Sequence, residues 1–159
     1  MFTFVTGGFR SGRSNYALRR AAELGPPPWL YTTAGEETDE AVQKRIAHQR
    51  RDSEAIWRTS VMPGDLSSLL DPELVGEYGA IVLDGIPGWI AGRLGRTPPE
   101  QDAPFLDEIA NVAETLYRLR VPAVVVSQEL GLGTVHETDY RFVNIAATTE
   151  NYPTDLAGS

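Results

Sequence analysis

Short apolar runs alternate along the chain with segments of helical periodicity, and the two patterns separate cleanly. Phe2-Thr3-Phe4-Val5-Thr6 is rich in β-branched and aromatic residues and reads as a buried strand. Arg13 to Leu24 reads as a helix, which Gly25-Pro26-Pro27-Pro28 stops. Trp29-Leu30-Tyr31-Thr32-Thr33 predicts a second strand, with Ala34-Gly35 as the loop at its carboxyl end. Thr38 caps a further helix, with Asp39 and Glu40 in its first turn and Arg50 and Arg51 in its last, so both charge sets complement the helix dipole. Ile56 to Val61 is a strand candidate, and Leu66 to Leu74 a short helix or loop. Ala80-Ile81-Val82-Leu83-Asp84 is a continuous apolar run ending in an acid, as expected of a parallel strand covered on both faces. Phe105, Ile109, Val112, Leu116 and Leu119 recur at spacings of four and three between Pro104 and Arg120, which is one core-facing side of a helix. Pro122 to Ser127 predicts the last buried strand.

Strands alternating with helices imply an α/β fold with a mostly parallel sheet and its ligand site at the carboxyl ends of the strands. No internal repeat or interdomain linker is visible. Residues 1–147 therefore read as one domain, and 148–159, polar and aperiodic around Pro153, as an irregular or disordered tail.

The chemistry concentrates in Gly7-Gly8-Phe9-Arg10-Ser11-Gly12-Arg13-Ser14, between the first strand and the first helix. This is the pattern G-x-x-x-x-G-K-[ST] with Arg13 in the lysine slot. Backbone N–H groups of such a loop cradle phosphates, the cation reaches the β and γ oxygens, and the hydroxyl ligates Mg²⁺. A glycine-rich turn without a nucleotide is the plainer alternative. Asp84 ends a strand of the type whose acid helps hold Mg²⁺ near the loop hydroxyl, here Ser14. Lys44, His48 and Arg51 fall on one helical face, where neighbouring positive charge disfavours imidazolium and leaves a neutral nitrogen able to act as a nucleophile or bind phosphate. A solvated basic face that happens to hold a histidine fits the same spacing.

Composition narrows these readings. The 159 residues carry 14 Lys and Arg against 22 Asp and Glu, a net charge of −8, so the surface as a whole repels nucleic acid. Arg10, Arg13, Arg19 and Arg20, and then Lys44, Arg45, Arg50 and Arg51, are nevertheless clustered, which suits a small phosphorylated ligand better than a polymer. No apolar run approaches membrane-spanning length, and nothing near Met1 resembles a signal peptide. The absence of cysteine excludes disulfides and thiolate metal sites. A cytoplasmic protein is expected.

Several motifs fall in a fixed order. They are Thr6-Gly7-Gly8 with Arg10-Ser11-Gly12, Arg45-Ile46-Ala47-His48 with Arg50-Arg51, Trp57-Arg58-Thr59, Val82-Leu83-Asp84, and Ser127-Gln128-Glu129-Leu130-Gly131-Leu132-Gly133. From Met1 to about Phe142 the chain resembles the bifunctional adenosylcobinamide kinase/adenosylcobinamide-phosphate guanylyltransferases of cobalamin assembly. The resemblance implies a P-loop, RecA-like α/β fold, commonly trimeric, with corrinoid and GTP or ATP as substrates. It makes His48 the guanylyl acceptor and Gly7 to Ser14 the triphosphate site. Thr33, Ala34 and Gly35, with Gln49, Arg50, Arg51 and Asp52, would line the nucleotide. Asp84 would take the acidic position, and Ser14 and Asp84 would hold Mg²⁺.

Four features depart from that pattern: Arg13 for lysine, Val61 where a glutamate is usual, Gln128 for asparagine, and a C-terminus without the family's final apolar strand. They keep a second reading in view, a relative that binds GTP or ATP without turnover and acts as a partner or regulator.

Overall fold

The computed structural model describes residues 2–8, 11–34, 57–96 and 98–128. Among the described residues five strands, β1 (Phe2–Gly7), β2 (Trp29–Thr33), β3 (Trp57–Val61), β4 (Ala80–Asp84) and β5 (Ala123–Gln128), form one sheet in the order β1-β5-β4-β2-β3. Every pairing is parallel. The helices are α1 (Arg13–Leu24), α2 (Leu66–Leu69), α3 (Pro72–Val75), α4 (Ile86–Leu94) and α5 (Asp102–Arg118). The expected α/β architecture with a parallel sheet is the observed one. None of the described helices is long and apolar enough to cross a membrane.

Alternation along the strands splits the core into two layers. Val5, Tyr31, Ala80, Val82, Val124 and Val126 face α1, whose buried positions are Ala17 and Ala21. Leu30, Ile81, Leu83, Ala123 and Val125 face the opposite way, onto residues of α2 to α5 that include Leu66, Leu94, Phe105 and Leu116. β4 is therefore buried at all five positions, as its unbroken apolar run requires.

Three local features differ from the sequence expectation. β1 is not buried: Phe2 is 39% and Phe4 56% exposed, and only Val5 is buried. It is the sheet edge among the described residues, and the cluster containing α4 and α5 packs on β4 and β5 without including Phe2 or Phe4. The segment 66–74 is two four-residue helices, because Asp65 and Asp71 each accept a hydrogen bond from a backbone N–H two residues on and Pro72 starts the second.

The third is α4, a segment for which no element was predicted and whose Pro87, Gly88 and Gly92 have weak or adverse helix propensity. Pro87 falls in the first turn, where its missing N–H costs nothing. Tertiary contacts hold the rest: Trp89, Ile90 and Leu94 are buried, the Trp89 indole donates to the Pro63 carbonyl at 2.8 Å, and Arg93 donates to the Gly64 carbonyl at 2.9 Å and pairs with Glu108 on α5. α5 begins two residues before Pro104, which again sits in a first turn. It ends at Arg118, so that extended Leu119 can lead the chain back to the sheet. The helix expected from Thr38 to Arg51, residue Ile56, and everything from 129 onward lie outside the described residues.

The turn that follows α1 meets the turn before β4 backbone to backbone. A Cβ added at Gly79 would lie 1.7 Å from the Pro26 carbonyl oxygen, whereas one at Gly92 meets nothing within 4 Å. Gly79→Ala should lower stability by more than about 2 kcal/mol through forced backbone separation. Gly92→Ala, in a helix interior, should be neutral or raise it by up to about 1 kcal/mol. Urea unfolding of the two variants beside the parent chain checks both.

Candidate functional site

β1 delivers the chain at Gly7 to the carboxyl edge of the sheet, and the loop folds back on itself there. The Ser11 N–H donates to the Gly8 carbonyl at 3.2 Å, and a Cβ at Gly7 would sit 2.6 Å from Ser11 Oγ. Gly12 then takes a left-handed conformation, φ 78° and ψ 11°, and α1 starts at Arg13. No side chain caps that helix start, so its first-turn N–H groups are left for an acceptor in the loop's mouth, the usual arrangement of an anion site at a helix N-terminus.

Arg13 does not extend into solvent. Its Nη1 donates to the Gly7 carbonyl at 3.0 Å and to the Gly8 carbonyl as well. One guanidinium nitrogen thus bridges two carbonyls of the loop it belongs to.

The parallel register places the remaining groups. Val5, Val126, Asp84, Thr33 and Val61 form one continuous row across all five strands. The row faces α1, as Val5 and Val126 show by packing in the α1 layer. Asp84 is 3% exposed and accepts a hydrogen bond from the Tyr31 hydroxyl at 2.6 Å. Its backbone carbonyl accepts from the Ala34 N–H at 3.1 Å, while Thr33 Oγ1 donates to the Ala34 carbonyl at 3.2 Å. Gly85 ties β4 to β5 by donating to the Val126 carbonyl at 3.2 Å.

Of the residues singled out from sequence, Gly7, Gly8, Ser11, Gly12, Arg13, Ser14, Thr33, Ala34 and Asp84 therefore come together along the carboxyl edge of the sheet, on the α1 side for the loop helix and the acid. Phe9, Arg10, Gly35, His48, Gln49, Arg50, Arg51 and Asp52 lie outside the described residues. Ser14 and Asp84 contribute a hydroxyl and a carboxylate, the hard oxygen donors that Mg²⁺ takes alongside phosphate and water. Val61, at the β3 end of the row, adds an apolar side chain there. Tyr31, expected only as part of a strand, adds a hydroxyl that ends on the acid. The signal was present, since a tyrosine in a buried strand needs a partner for its hydroxyl.

A family model described as cobinamide kinase / cobinamide phosphate guanyltransferase matches residues 3–152. The bifunctional adenosylcobalamin biosynthesis protein CobU of Salmonella typhimurium is 31% identical over 148 residues, covering 86% of this chain and 80% of that protein. The bifunctional adenosylcobalamin biosynthesis protein CobP of Pseudomonas aeruginosa is 34% identical over 150 residues, covering 92% and 83%. Among solved structures, the KaiC-like protein PH0186 of Pyrococcus horikoshii OT3 aligns with a TM-score of 0.54 over 89% of this chain and 68% of that one. At 16% identity this is a likeness of fold alone, and it agrees with a RecA-like α/β sheet.

The left-handed Gly12 is the loop's most exacting position, because an L side chain there is strained by about 1–2 kcal/mol. Gly12→Ala should weaken nucleotide binding about tenfold or more while shifting the thermal midpoint by only a few degrees. Titration calorimetry with GTP and ATP, beside a thermal melt without nucleotide, separates the two effects.

Proposed function

The chain belongs to the cobinamide kinase / cobinamide phosphate guanyltransferase family of cobalamin biosynthesis, and on that premise we propose that it makes adenosylcobinamide-GDP in two transfers using one nucleotide site. In the first, the aminopropanol hydroxyl of adenosylcobinamide attacks the γ-phosphorus of GTP or ATP. The bond to the β-bridging oxygen breaks, the nucleoside diphosphate leaves, and the hydroxyl proton passes to solvent. In the second, a ring nitrogen of His48 attacks the α-phosphorus of GTP and pyrophosphate leaves. A phosphate oxygen of adenosylcobinamide phosphate then attacks the same phosphorus and breaks the phosphorus–nitrogen bond.

The observation that carries this reading is the close of Ser11 N–H on the Gly8 carbonyl, followed by left-handed Gly12 and a helix start without a side-chain cap at that glycine, with Asp84 in the row that faces the same helix. Loop N–H groups orient the phosphates. Ser14 and Asp84 would hold Mg²⁺, which supplies charge neutralisation on the phosphate oxygens when bound. Thr33 and Ala34 line the strand ends beside the acid, and Gly35 and Gln49 to Asp52 complete the nucleotide contacts. The attacking form of His48 would be the neutral imidazole, whose free ring nitrogen can reach phosphorus.

A second reading, nucleotide binding without turnover, is favoured by one observation: the Arg13 guanidinium is engaged on the Gly7 and Gly8 carbonyls. Lysine reaches between phosphate oxygens as a compact point charge, whereas a planar fork has a different reach.

Two experiments decide between them. Incubation with GTP labelled at the α-phosphate should give an acid-labile protein adduct that disappears in His48→Ala. A nucleotide-bound parent protein without adduct overturns the guanylyl step. Arg13→Lys should raise kinase turnover by about tenfold, equivalent to roughly 1.4 kcal/mol of barrier, and change guanylyl transfer less, because the slot serves the β and γ oxygens. Good binding in both proteins with no phosphorylation or guanylylation in either supports the non-catalytic reading.

A further inference from the structure

Tyr31 is the bulkiest of the wholly buried side chains among the described residues, and its hydroxyl ends on the acid of the site. A phenylalanine would fill the same apolar space without bringing a polar atom into it, so the hydroxyl needs its own account. In the strand register Tyr31 pairs with Val82 and Thr33 with Asp84. The phenol therefore reaches diagonally, one pleat along β4, a span open to an aromatic side chain on the same face. At 2.6 Å the phenol O–H donates to Oδ2 of Asp84 at the short end of the ordinary range for O–H···O bonds.

The ring cannot swing away. It belongs to the same packed cluster as Ala17 and Ala21 of α1 and Val82 and Val124 of the sheet. α1 begins at the phosphate loop, so the packing that seats Ser14 also seats the ring, and the ring seats the carboxylate.

We propose that Tyr31 is a positioning residue of the nucleotide site, whose hydroxyl holds the Asp84 carboxylate in the orientation in which it receives the divalent cation of a nucleotide–metal complex. This rests on the assignment of Asp84 to the cation made above, and the test separates the two. The probe is the α,β-methylene analogue of GTP, which cannot give up its guanylyl group, titrated into the full chain with Mg²⁺ and, separately, with EDTA.

The parent chain binds more tightly with Mg²⁺. Tyr31→Phe keeps its affinity in EDTA and its thermal midpoint close to the parent values and loses about tenfold of the Mg²⁺ gain, the scale of lost support to a metal ligand. Asp84→Asn loses the gain, and the double variant is no worse than Asp84→Asn. Tyr78→Phe, which removes a phenol away from the site, behaves as the parent. Tyr31→Phe with the full gain beside an Asp84→Asn that has lost it overturns the proposal, and so does an equal loss in EDTA and Mg²⁺, which is packing alone. Asp84→Asn with the full gain overturns the assignment of the acid itself. A second measurement needs no variant. In parent protein labelled with 3-fluorotyrosine, Mg²⁺ added to the analogue complex should move a fluorine resonance that is shielded from a soluble relaxation agent. If no shielded resonance moves, the proposal falls.

Discussion

Ala17 and Ala21, one helical turn apart and wholly buried, set the separation between α1 and the sheet. Methyl groups fix no rotamers and occupy little depth, so the helix can lie close to Val5, Val82, Val124 and Val126. That closeness fixes where α1 begins, and therefore where Gly12, Arg13 and Ser14 stand relative to the strand ends. A larger side chain at either position would lift the helix and carry the loop away from Asp84. Tyr31 is buried in the same cluster as the two alanines, so the packing that seats the loop is continuous with the contact on the acid.

The second constraint is the register of a fully parallel sheet. Because all five described strands run the same way, one row crosses the sheet at Val5, Val126, Asp84, Thr33 and Val61; it is the last row of β4, β2 and β3, while β5 and β1 run two residues past it. Only one of the five is ionisable. Two strand spacings, roughly 10 Å, separate Asp84 from Val61, so the apolar residue there leaves the acid's own surroundings unchanged. It alters what meets a ligand extending over β2 and β3. Val61 and Asp84 thus belong to different parts of one edge.

Much of this was readable from the chain because the decisive signals are local. The strand–loop–helix sequence around Gly7 to Ser14, the buried run at Ala80 to Asp84, and the helical face from Phe105 to Leu116 each fit within a short window. What was not readable depends on pairing order. β1 and β2 are consecutive in sequence but stand two strands apart, with β5 and β4 between them. No window along the chain could therefore put Tyr31 beside Asp84, or show that Phe2 and Phe4 lie on an edge. α4 was hidden for a related reason. Its Pro87, Gly88 and Gly92 carry weak or adverse propensity, and the helix is held by long-range bonds from Trp89 and Arg93 to the Pro63 and Gly64 carbonyls. Arg13 was seen as a substitution, but its engagement with Gly7 and Gly8 follows from the curl of the loop, which only coordinates show.

On the proposed function, that engagement is the route by which one substitution would separate binding from turnover. Nη1 belongs to a cation, so its two bonds to the carbonyls are charge-assisted, and releasing it forgoes about 1.5–3 kcal/mol for each. A phosphate oxygen brings the opposite charge to the same donor and offsets that loss. The loop's N–H groups, which Arg13 does not occupy, would bind phosphate in either case, so affinity would be buffered against the change. Chemistry is not, because a charge acting on the transferring phosphoryl group must stand within about 0.5 Å of its productive position. A guanidinium shared between carbonyl and phosphate would stand in two positions, of which only one serves the transition state. On the proposed function, the fork held on the Gly7 and Gly8 carbonyls would therefore limit γ-phosphoryl transfer and bear less on attack at the α-phosphorus, further along the triphosphate.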